Sequence, residues 1–256
     1  KNLISVGAKP IAITNCLNFG SPENQENMGE FVECVQGLGE ASLYLNFPVV
    51  SGNVSFYNQT KDIGIKPTPV IGGVGLIQDY NNMITMNLKE SGNIVLVIGK
   101  TEGHLDQSLF SRDVLNEKNG PPPEINLFNE KNNGETIIKL INKKFIKAAH
   151  DVSLGGIITA LSKMCIKGKK GVTLKKPNYL INKFEYLFGE DQGRYLIEID
   201  KKNLKDVIKI LSENAVHFDE LGTVNDNDLI IDDKSKVSID DLIKSHTTWL
   251  TNYMSK

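Results

Sequence analysis

A strand–helix–strand pattern near the start of the chain constrains the fold more than any other feature. Residues 10–14 and 48–51 are two apolar, strand-like runs. Between them, apolar residues recur at helical spacing, which predicts one amphipathic helix over residues 25–45. Parallel strands need a crossover connection of this kind. The pattern therefore predicts two parallel strands, each followed by a polar loop at its carboxyl end.

Those two loops have an unusual composition. The first reads Ile-Thr-Asn-Cys-Leu-Asn-Phe-Gly over residues 13–20, and the second reads Ser-Gly-Asn-Val-Ser-Phe-Tyr-Asn-Gln-Thr over residues 51–60. They supply amides, hydroxyls and glycine but almost no charge. Backbone amides and neutral oxygens of this kind can surround a phosphate or a hydrated metal ion.

The second loop offers three candidate site residues. Gly52 allows a turn and lets backbone amides approach an anion. Asn53 offers a neutral oxygen to Mg²⁺, which would still need carboxylates from elsewhere. Ser55 faces the same side as Asn53 in an extended segment and can bond a substrate hydroxyl or phosphate. The alternative is a Gly-Asn turn whose side chains bond their own backbone.

The first loop has the same two interpretations. Asn15, Asn18 and Gly20 either contact a nucleotide or form a helix cap or turn. Cys16 lies within this loop, but no residue from Thr14 to Pro22 provides a base or cation to activate its thiol. A catalytic role for Cys16 is therefore not expected.

Two further segments carry polar clusters. In residues 150–156, either Asp151 or Ser153 caps the following helix, or the free amides at the helix start bind an anion; His150 beside Asp151 is expected to be structural. In residues 189–194, Arg194 either clamps a phosphate or forms a surface ion pair with Glu190.

The rest of the chain predicts a mixed architecture. A Gly-rich strand over residues 69–77 and a strand over 83–88 complete a first domain, residues 1–90. In the second domain, residues 91–256, predicted helices cover 107–115, 134–147, 204–214 and 239–249, and a helix ends near Gly168. Predicted strands cover 93–98, 172–174, 195–199, 216–224 and 229–231. This alternation indicates an α/β or α+β sandwich with helices on one side of a sheet.

Composition excludes several classes of protein. The net charge of −2 gives no reason to expect nucleic acid as a partner. Three widely spaced cysteines argue against a disulfide framework and fit a reducing cytoplasm. The sequence contains no membrane-spanning run and no signal-peptide pattern, so we expect a cytoplasmic protein without a membrane partner.

Five segments together resemble one family: residues 12–23, 51–58, 66–71, 149–156 and 187–194. The family is the synthetase subunit of phosphoribosylformylglycinamidine synthase, PurL, and the resemblance runs in order along nearly the whole chain. It implies a truncated ferredoxin-like ATP-binding domain followed by an α/β domain, as in aminoimidazole ribonucleotide synthetase. The chain resembles the C-terminal half of the subunit, without the opening strand and helix of its first domain.

The resemblance also implies roles for residues. Asn15 and Gly52 would contact ATP, Asn53 would ligate Mg²⁺, and Ser55 would touch formylglycinamide ribonucleotide. The family pattern often has Asp where this chain has Asn15, so the implied contact here is a hydrogen bond rather than a charge interaction. No catalytic residue is expected here, because the family's catalytic His lies in the N-terminal half. Glu190, Asp191 and Gln192 resemble a degenerate repeat of a substrate-binding motif.

The implied reaction phosphorylates the substrate's formyl amide oxygen with ATP, and ammonia then displaces phosphate. The implied partners are the N-terminal half of the subunit, a glutaminase subunit that supplies ammonia, and a small bridging subunit. We expect the isolated chain to be inactive. The alternatives are a non-catalytic nucleotide-holding or scaffolding module, and another enzyme of the same ATP-binding superfamily, such as a thiamine-phosphate kinase or a selenophosphate synthase. The segment over residues 15–20 argues against the last two.

Overall fold

A computed structural model describes residues 1–176 and 181–255 of the chain. The chain forms two compact units: residues 8–78, and residues 79–256 together with 1–7. In chain order the helices and strands are α1 (Asn2–Ser5), β1 (Lys9–Asn18), α2 (Gln25–Leu45), β2 (Val49–Ser55), β3 (Gln59–Thr60), β4 (Ile63–Gly64), β5 (Thr68–Leu76), β6 (Ile94–Ile98), α3 (Leu127–Asn142), β7 (Ile146–Asp151), α4 (Gly156–Gly168), β8 (Gly171–Leu174), α5 (Lys183–Phe188), β9 (Tyr195–Ile199), α6 (Leu204–Glu213), β10 (Phe218–Asn225), β11 (Asp228–Asp232), β12 (Ser235–Ser238) and α7 (Ile239–Met254).

The smaller unit contains a three-stranded sheet in the order β2-β1-β5 and a separate two-stranded sheet of β3 and β4. The strands β1 and β2 are parallel, and α2 forms the crossover between them, which confirms the predicted unit. Asn24 caps α2, since its side chain accepts the amides of Glu26 and Asn27. Phe31 of α2 packs edge-on against Phe19 at 5.2 Å between ring centroids. This contact anchors the helix on the end of β1.

The two polar segments are mainly strand, so the prediction of loops after short strands is wrong there. The strand β1 runs to Asn18, and β2 runs to Ser55. The reason is pairing: β1 lies between β2 and β5, so its backbone amides and carbonyls find partners on both sides. Ladder hydrogen bonds outweigh the low strand propensity of asparagine and glycine.

The larger unit contains a seven-stranded mixed sheet in the order β12-β11-β8-β10-β6-β9-β7. One face packs against α4, α5 and α7, and the other packs against α1, α3 and α6. The expectation of helices on one side is therefore wrong. The strand β6 shows why: Val95 and Val97 enter one core, while Ile94, Leu96 and Ile98 enter the other.

Three predicted elements in this unit need correction. The helix predicted over residues 134–147 is α3, which begins earlier because Asn126 caps it by accepting the amide of Asn129 at 3.0 Å. It ends at Asn142, and the edge strand β7 follows. The helix predicted over 107–115 is a short π-helix over Ser111–Leu115. Residues 83–88 form no strand.

One buried acid lies in the middle of the large sheet. Glu198 of β9 is fully buried, and its carboxylate accepts the amides of Lys89 at 2.8 Å and Glu90 at 3.1 Å. It also accepts the side-chain amide of Asn93 at 2.8 Å. Through these three hydrogen bonds, the Glu198 carboxylate holds the turn that leads into β6.

Candidate functional site

The candidate site of the smaller unit lies at the carboxyl ends of β1 and β2. In the parallel register, Asn15 pairs with Gly52, Cys16 with Asn53, and Asn18 with Ser55. Parallel strands bring their carboxyl ends to one edge of a sheet, where ligands commonly bind. The structure thus brings together all four residues singled out in the sequence, Asn15, Gly52, Asn53 and Ser55.

Gly52 is required by the side chain of Asn15. A Cβ atom on Gly52 would lie 1.8 Å from Asn15 Oδ1 and 2.8 Å from the Asn15 backbone oxygen. The Asn15 amide therefore occupies the space above Gly52. The glycine serves close approach within a strand rather than the turn that the sequence suggested.

Asn53 and Ser55 project from the opposite face to Gly52, because side chains alternate along a strand. The expected shared orientation of Asn53 and Ser55 is confirmed by the extended strand between them. The four residues thus form two pairs at one edge, one pair on each face. A ligand contacting all four would have to wrap around the end of the strands.

Asn58 organises the end of β2, although the sequence pattern did not single it out. Its side-chain nitrogen donates to the carbonyls of Phe19 and Ser55, each at 3.0 Å. The Ser55 hydroxyl lies 3.2 Å from Asn58 Oδ1. A substrate that bonds Ser55 would therefore share the hydroxyl with Asn58. The only sequence signal is an amide three residues after a serine, which is common in turns.

Asn18 and Gly20 have structural roles. The Asn18 side chain donates to the Thr68 carbonyl at 3.2 Å and so ties β1 to β5. A Cβ on Gly20 would lie 2.6 Å from Asn27 Nδ2. Neither residue caps the following helix, because Asn24 provides that cap.

The donor set near this edge is neutral. Asn15, Asn53, Ser55 and Asn58 offer amide and hydroxyl oxygens, and the residues with a placed structure contain no group of three or more His, Cys, Asp or Glu side chains able to hold a metal. Mg²⁺ prefers one or two carboxylates in addition to phosphate oxygens. The residues present fit one neutral ligand of such an ion, provided that carboxylates come from another segment.

In the larger unit, a distant carboxylate occupies the start of α4. The helix begins after Gly155 without a side-chain cap, and the Gly155 amide donates to Glu190 Oε1 at 2.7 Å. Capping by Asp151 or Ser153 is therefore wrong, while the Gly155 amide does hold an anionic group, the carboxylate of Glu190 from the same chain. The same Glu190 oxygen accepts the Leu109 amide at 2.8 Å. Negative charge at a helix N-terminus is stabilising.

His150 and Asp151 do contact each other, although adjacent residues seldom do. His150 Nδ1 lies 2.6 Å from the Asp151 carbonyl and 3.4 Å from its carboxylate. Burial raises the pKa of Asp151, but the hydrogen bond and charge of His150, together with the charge of Lys1, outweigh that effect. The pKa of Asp151 is therefore below its ordinary value. The pair is a local structural contact at the end of β7.

Arg194 links two segments inside the larger unit. Both of its predicted roles, clamping a phosphate and a surface ion pair with Glu190, are therefore wrong. Its side chain is fully buried and donates to Thr101 Oγ1 at 3.1 Å and to the Gly189 carbonyl at 2.6 Å. Its ion pair is with Asp191 at 3.4 Å. A buried guanidinium with these partners is not presented to an external phosphate.

Gln192 is the more exposed of the two members of this motif, Asp191 and Gln192, that border open space. It lines a polar cavity of about 520 Å³ together with residues such as His104 and Glu130. Its side-chain nitrogen donates to the Glu190 carbonyl at 3.1 Å. Glu190 and Asp191 hold backbone amides instead, so most of this motif serves as scaffold.

Comparison with known proteins places these two units in a family. The model described as "AIR synthase related protein, N-terminal domain" matches residues 1–77, and "AIR synthase related protein, C-terminal domain" matches residues 90–234. The chain belongs to the AIR synthase related family. The predicted fold class is confirmed. Across the part of the chain that the structure describes, no helix has the length and apolar character needed to cross a bilayer.

Within the family, the chain is similar to one enzyme subunit. It is 86% identical over 254 residues to phosphoribosylformylglycinamidine synthase subunit PurL of Pelagibacter ubique, covering 99% of this chain and 35% of the relative. It is 43% identical over 256 residues to PurL of Bartonella henselae, again covering 35% of the relative. The chain thus spans about a third of the relatives it matches. The predicted resemblance is confirmed.

Solved structures agree on the fold. Thermotoga maritima PurL complexed with FGAR gives a TM-score of 0.73 at 17% identity, covering 94% of this chain and 40% of that chain. The same protein complexed with ATP gives 0.71 at 16% identity, covering 94% and 39%. PurLQS from Thermotoga maritima gives 0.71 at 16% identity with the same coverage.

Proposed function

We propose that this chain is part of the ligase that converts formylglycinamide ribonucleotide, ATP and glutamine-derived ammonia into formylglycinamidine ribonucleotide, ADP and phosphate in the cytoplasm. The observation that carries this proposal is the 86% identity to PurL over 254 residues. Residues 1–90 and 91–256 would be the second copies of the two family domains in that subunit.

In this proposal, Asn15 and Gly52 contact ATP, Asn53 ligates Mg²⁺ and Ser55 contacts the ribonucleotide substrate. The geometry supports these roles in one respect, since the four residues share one sheet edge. Asn15 would act through its side-chain amide. This amide has room because Gly52 has no Cβ. Ser55 would act through a hydroxyl that Asn58 already orients.

These residues position and bind rather than transfer protons. A neutral amide holds a phosphate or metal without competing for the substrate's proton, and an oriented hydroxyl fixes the substrate's position. The bound Mg²⁺ would neutralise phosphate charge during transfer. Its carboxylate ligands and the catalytic base would come from the N-terminal half of the subunit.

The exposed face of the small sheet supports that partner. Val70 pairs with Cys16, and Cys16 pairs with Asn53, so Val70 lies on the face that carries Asn53 and Ser55. Val70 and Val74 are each more than half exposed. Exposed apolar strand residues beside candidate site residues mark a surface that another segment covers. A glutaminase subunit and a small bridging subunit would complete the assembly, and the likeness of the fold to PurLQS from Thermotoga maritima supports partners of this kind.

The test is amidine formation by the full-length subunit that contains this sequence, with ammonium chloride as the nitrogen source. We expect Asn53→Ala and Ser55→Ala to lower kcat/KM by about 10- to 100-fold, which corresponds to about 1.4–2.8 kcal/mol. Ser51→Ala lies on the same strand and face and is the matched control. Full activity of Asn53→Ala at limiting Mg²⁺ would refute the assigned metal role.

The alternative is a module that holds nucleotide without taking part in catalysis. The neutral character of the donor set formed by Asn15, Asn53, Ser55 and Asn58 is the observation that favours it. Calorimetry of the 256-residue chain with Mg-ATP separates the two proposals. A part of the ligase is expected to bind weakly or not at all, because its site is incomplete. Tight binding by the isolated chain would favour the nucleotide-holding module.

A further inference from the structure

The C-terminal half of α7 presents an apolar stripe that nothing in the described chain covers. Ile239 at the start of α7 is buried, and Leu242 and Ile243 pack on the core of the larger unit. The same helical stripe continues through Trp249, Leu250, Tyr253 and Met254, which are all at least 60% exposed. Trp249 and Tyr253 stack at 5.4 Å between ring centroids. The stripe thus extends beyond the core that its first half contacts.

The remaining faces of this segment are neutral. No Asp, Glu, Lys or Arg occurs from residue 245 to residue 255. The hydroxyls of Thr247 and Thr248 donate to backbone carbonyls four residues earlier, at 2.8 and 2.7 Å. A solvated helix face ordinarily carries charges, whereas interface cores are depleted of charge and enriched in aromatic residues. The composition matches an interface rather than a solvated surface.

The segment also lacks intrinsic helical stability. Between residues 245 and 255 it contains three threonines, two serines and an asparagine, all modest helix formers. Helical stability in proteins comes mainly from packing of an apolar face. The last two turns of α7 extend past the core, so the described residues supply little of that packing.

The relatives of this chain extend well beyond the part that includes α7. The match to the C-terminal domain model ends at residue 234, before α7 begins, whereas the PurL relatives align over 254 to 256 residues and so include α7. The chain covers 35% of those relatives, which leaves 65% of each polypeptide outside the aligned part. In these relatives, α7 therefore belongs to a polypeptide about three times as long as the described chain.

We propose that the stripe formed by Trp249, Leu250, Tyr253 and Met254 docks permanently on the part of the PurL subunit that lies outside these 256 residues. A charge-free aromatic surface is typical of permanent contacts, which are more apolar than transient ones. Trp249 and Tyr253 are the anchor residues, since these residue types dominate contact energies. The proposal rests on family membership and is independent of the ligand roles of Asn15, Gly52, Asn53 and Ser55.

Hydrogen exchange measured by mass spectrometry tests the proposal in two proteins: the 256-residue chain and the full-length subunit without other subunits. We expect the amides of residues 247–254 to exchange rapidly in the chain and about 100-fold more slowly in the subunit. Exchange does not read activity, so failure of this proposal is distinct from failure of the proposed function. Equal exchange in the two proteins overturns it.

Two other occupants give different results, and each overturns the proposal. Protection that appears only after a glutaminase subunit is added assigns the stripe to that partner. Protection that rises with concentration of the 256-residue chain assigns it to a second copy.

Variants in the full-length subunit extend the test. Trp249→Ala with Tyr253→Ala is expected to remove the protection of residues 247–254 while exchange in β6 is unchanged. Thr248→Ala with Asn252→Ala, on the opposite face of the helix, is the matched control and keeps the protection. Unaltered protection in the aromatic double variant overturns the proposal.

Discussion

The contact between Asn15 and Gly52 gives a prediction whose size follows from the structure. Replacing Gly52 by Ala puts a Cβ 1.8 Å from Asn15 Oδ1 and 2.8 Å from Asn15 Cγ. Rotation of the Asn15 side chain relieves both contacts. The Cβ would also lie 2.8 Å from the Asn15 backbone oxygen, and only separation of β1 from β2 relieves that contact. Side-chain and backbone strain should therefore add.

Overpacking of this kind costs about 1–3 kcal/mol, and we expect Gly52→Ala to lie near the upper end of that range. Asn15→Ala removes Oδ1 and Cγ, so only the backbone contact remains in the double variant. We therefore expect Gly52→Ala to cost about 1 kcal/mol in the Asn15→Ala background. The two substitutions should couple by about 1–2 kcal/mol.

The assay must read the smaller unit, because the single tryptophan, Trp249, lies in the larger one. Native-state hydrogen exchange of β1 and β2 amides does so, and about 1.4 kcal/mol corresponds to a tenfold change in exchange. Gly37→Ala is a matched control, because nothing lies within 4 Å of a Cβ at that position of α2. It should stabilise the helix by about 0.5–1 kcal/mol. Strictly additive effects of Asn15→Ala and Gly52→Ala would refute the argument.

Three further predictions concern the larger unit. Glu190→Ala leaves the Leu109 and Gly155 amides without their acceptor and should lower the free energy of unfolding, measured in thermal melts, by about 2–4 kcal/mol. Glu190→Gln should lower it less. Glu213→Ala, at an exposed position, is the control and should change it almost not at all. Burial raises the pKa of Cys165 to about 12, so a thiol reagent at about pH 8 should modify it only after unfolding; rapid native labelling would contradict this. The pKa of Asp151 is lowered in the folded chain, so its ionised carboxylate stabilises the fold at pH values above the ordinary pKa of 3.8. Asp151→Asn should therefore lower the free energy of unfolding at about pH 6, and the difference from the original chain should shrink as pH falls below about 4. A difference in denaturant melts that does not change with pH would contradict the assignment.

The sequence predicts elements well where periodicity is local. The helix over residues 25–45 is found with those bounds, and the strand over 195–199 is also found as predicted. Each is set by apolar spacing within its own segment. The parallel pairing of β1 and β2 follows from the crossover rule alone. Local pattern and topology therefore sufficed to bring Asn15 and Gly52 together.

Contacts between distant residues explain most of the failures. The start of α4 is bonded by Glu190, which lies 35 residues further along the chain. Arg194 braces Thr101 across 93 residues. Neither partner can be identified from spacing, so the local explanations for both segments were wrong. The sequence did indicate helices on both sides of the large sheet, since the unbroken apolar run in β6 is typical of a strand buried on both faces.

The buried carboxylate of Glu198 determines how β9 and β6 align. Glu198 pairs with Val95 in the antiparallel ladder and reaches the turn at Lys89, Glu90 and Asn93. A slip of one residue would turn its side chain to the opposite face of the sheet, away from all three donors. The apolar neighbours in both strands would lose little in such a slip, whereas the Glu198 carboxylate would be left buried without its hydrogen-bond donors. One acid in an otherwise apolar strand thus selects a single alignment during folding and excludes the misaligned ones.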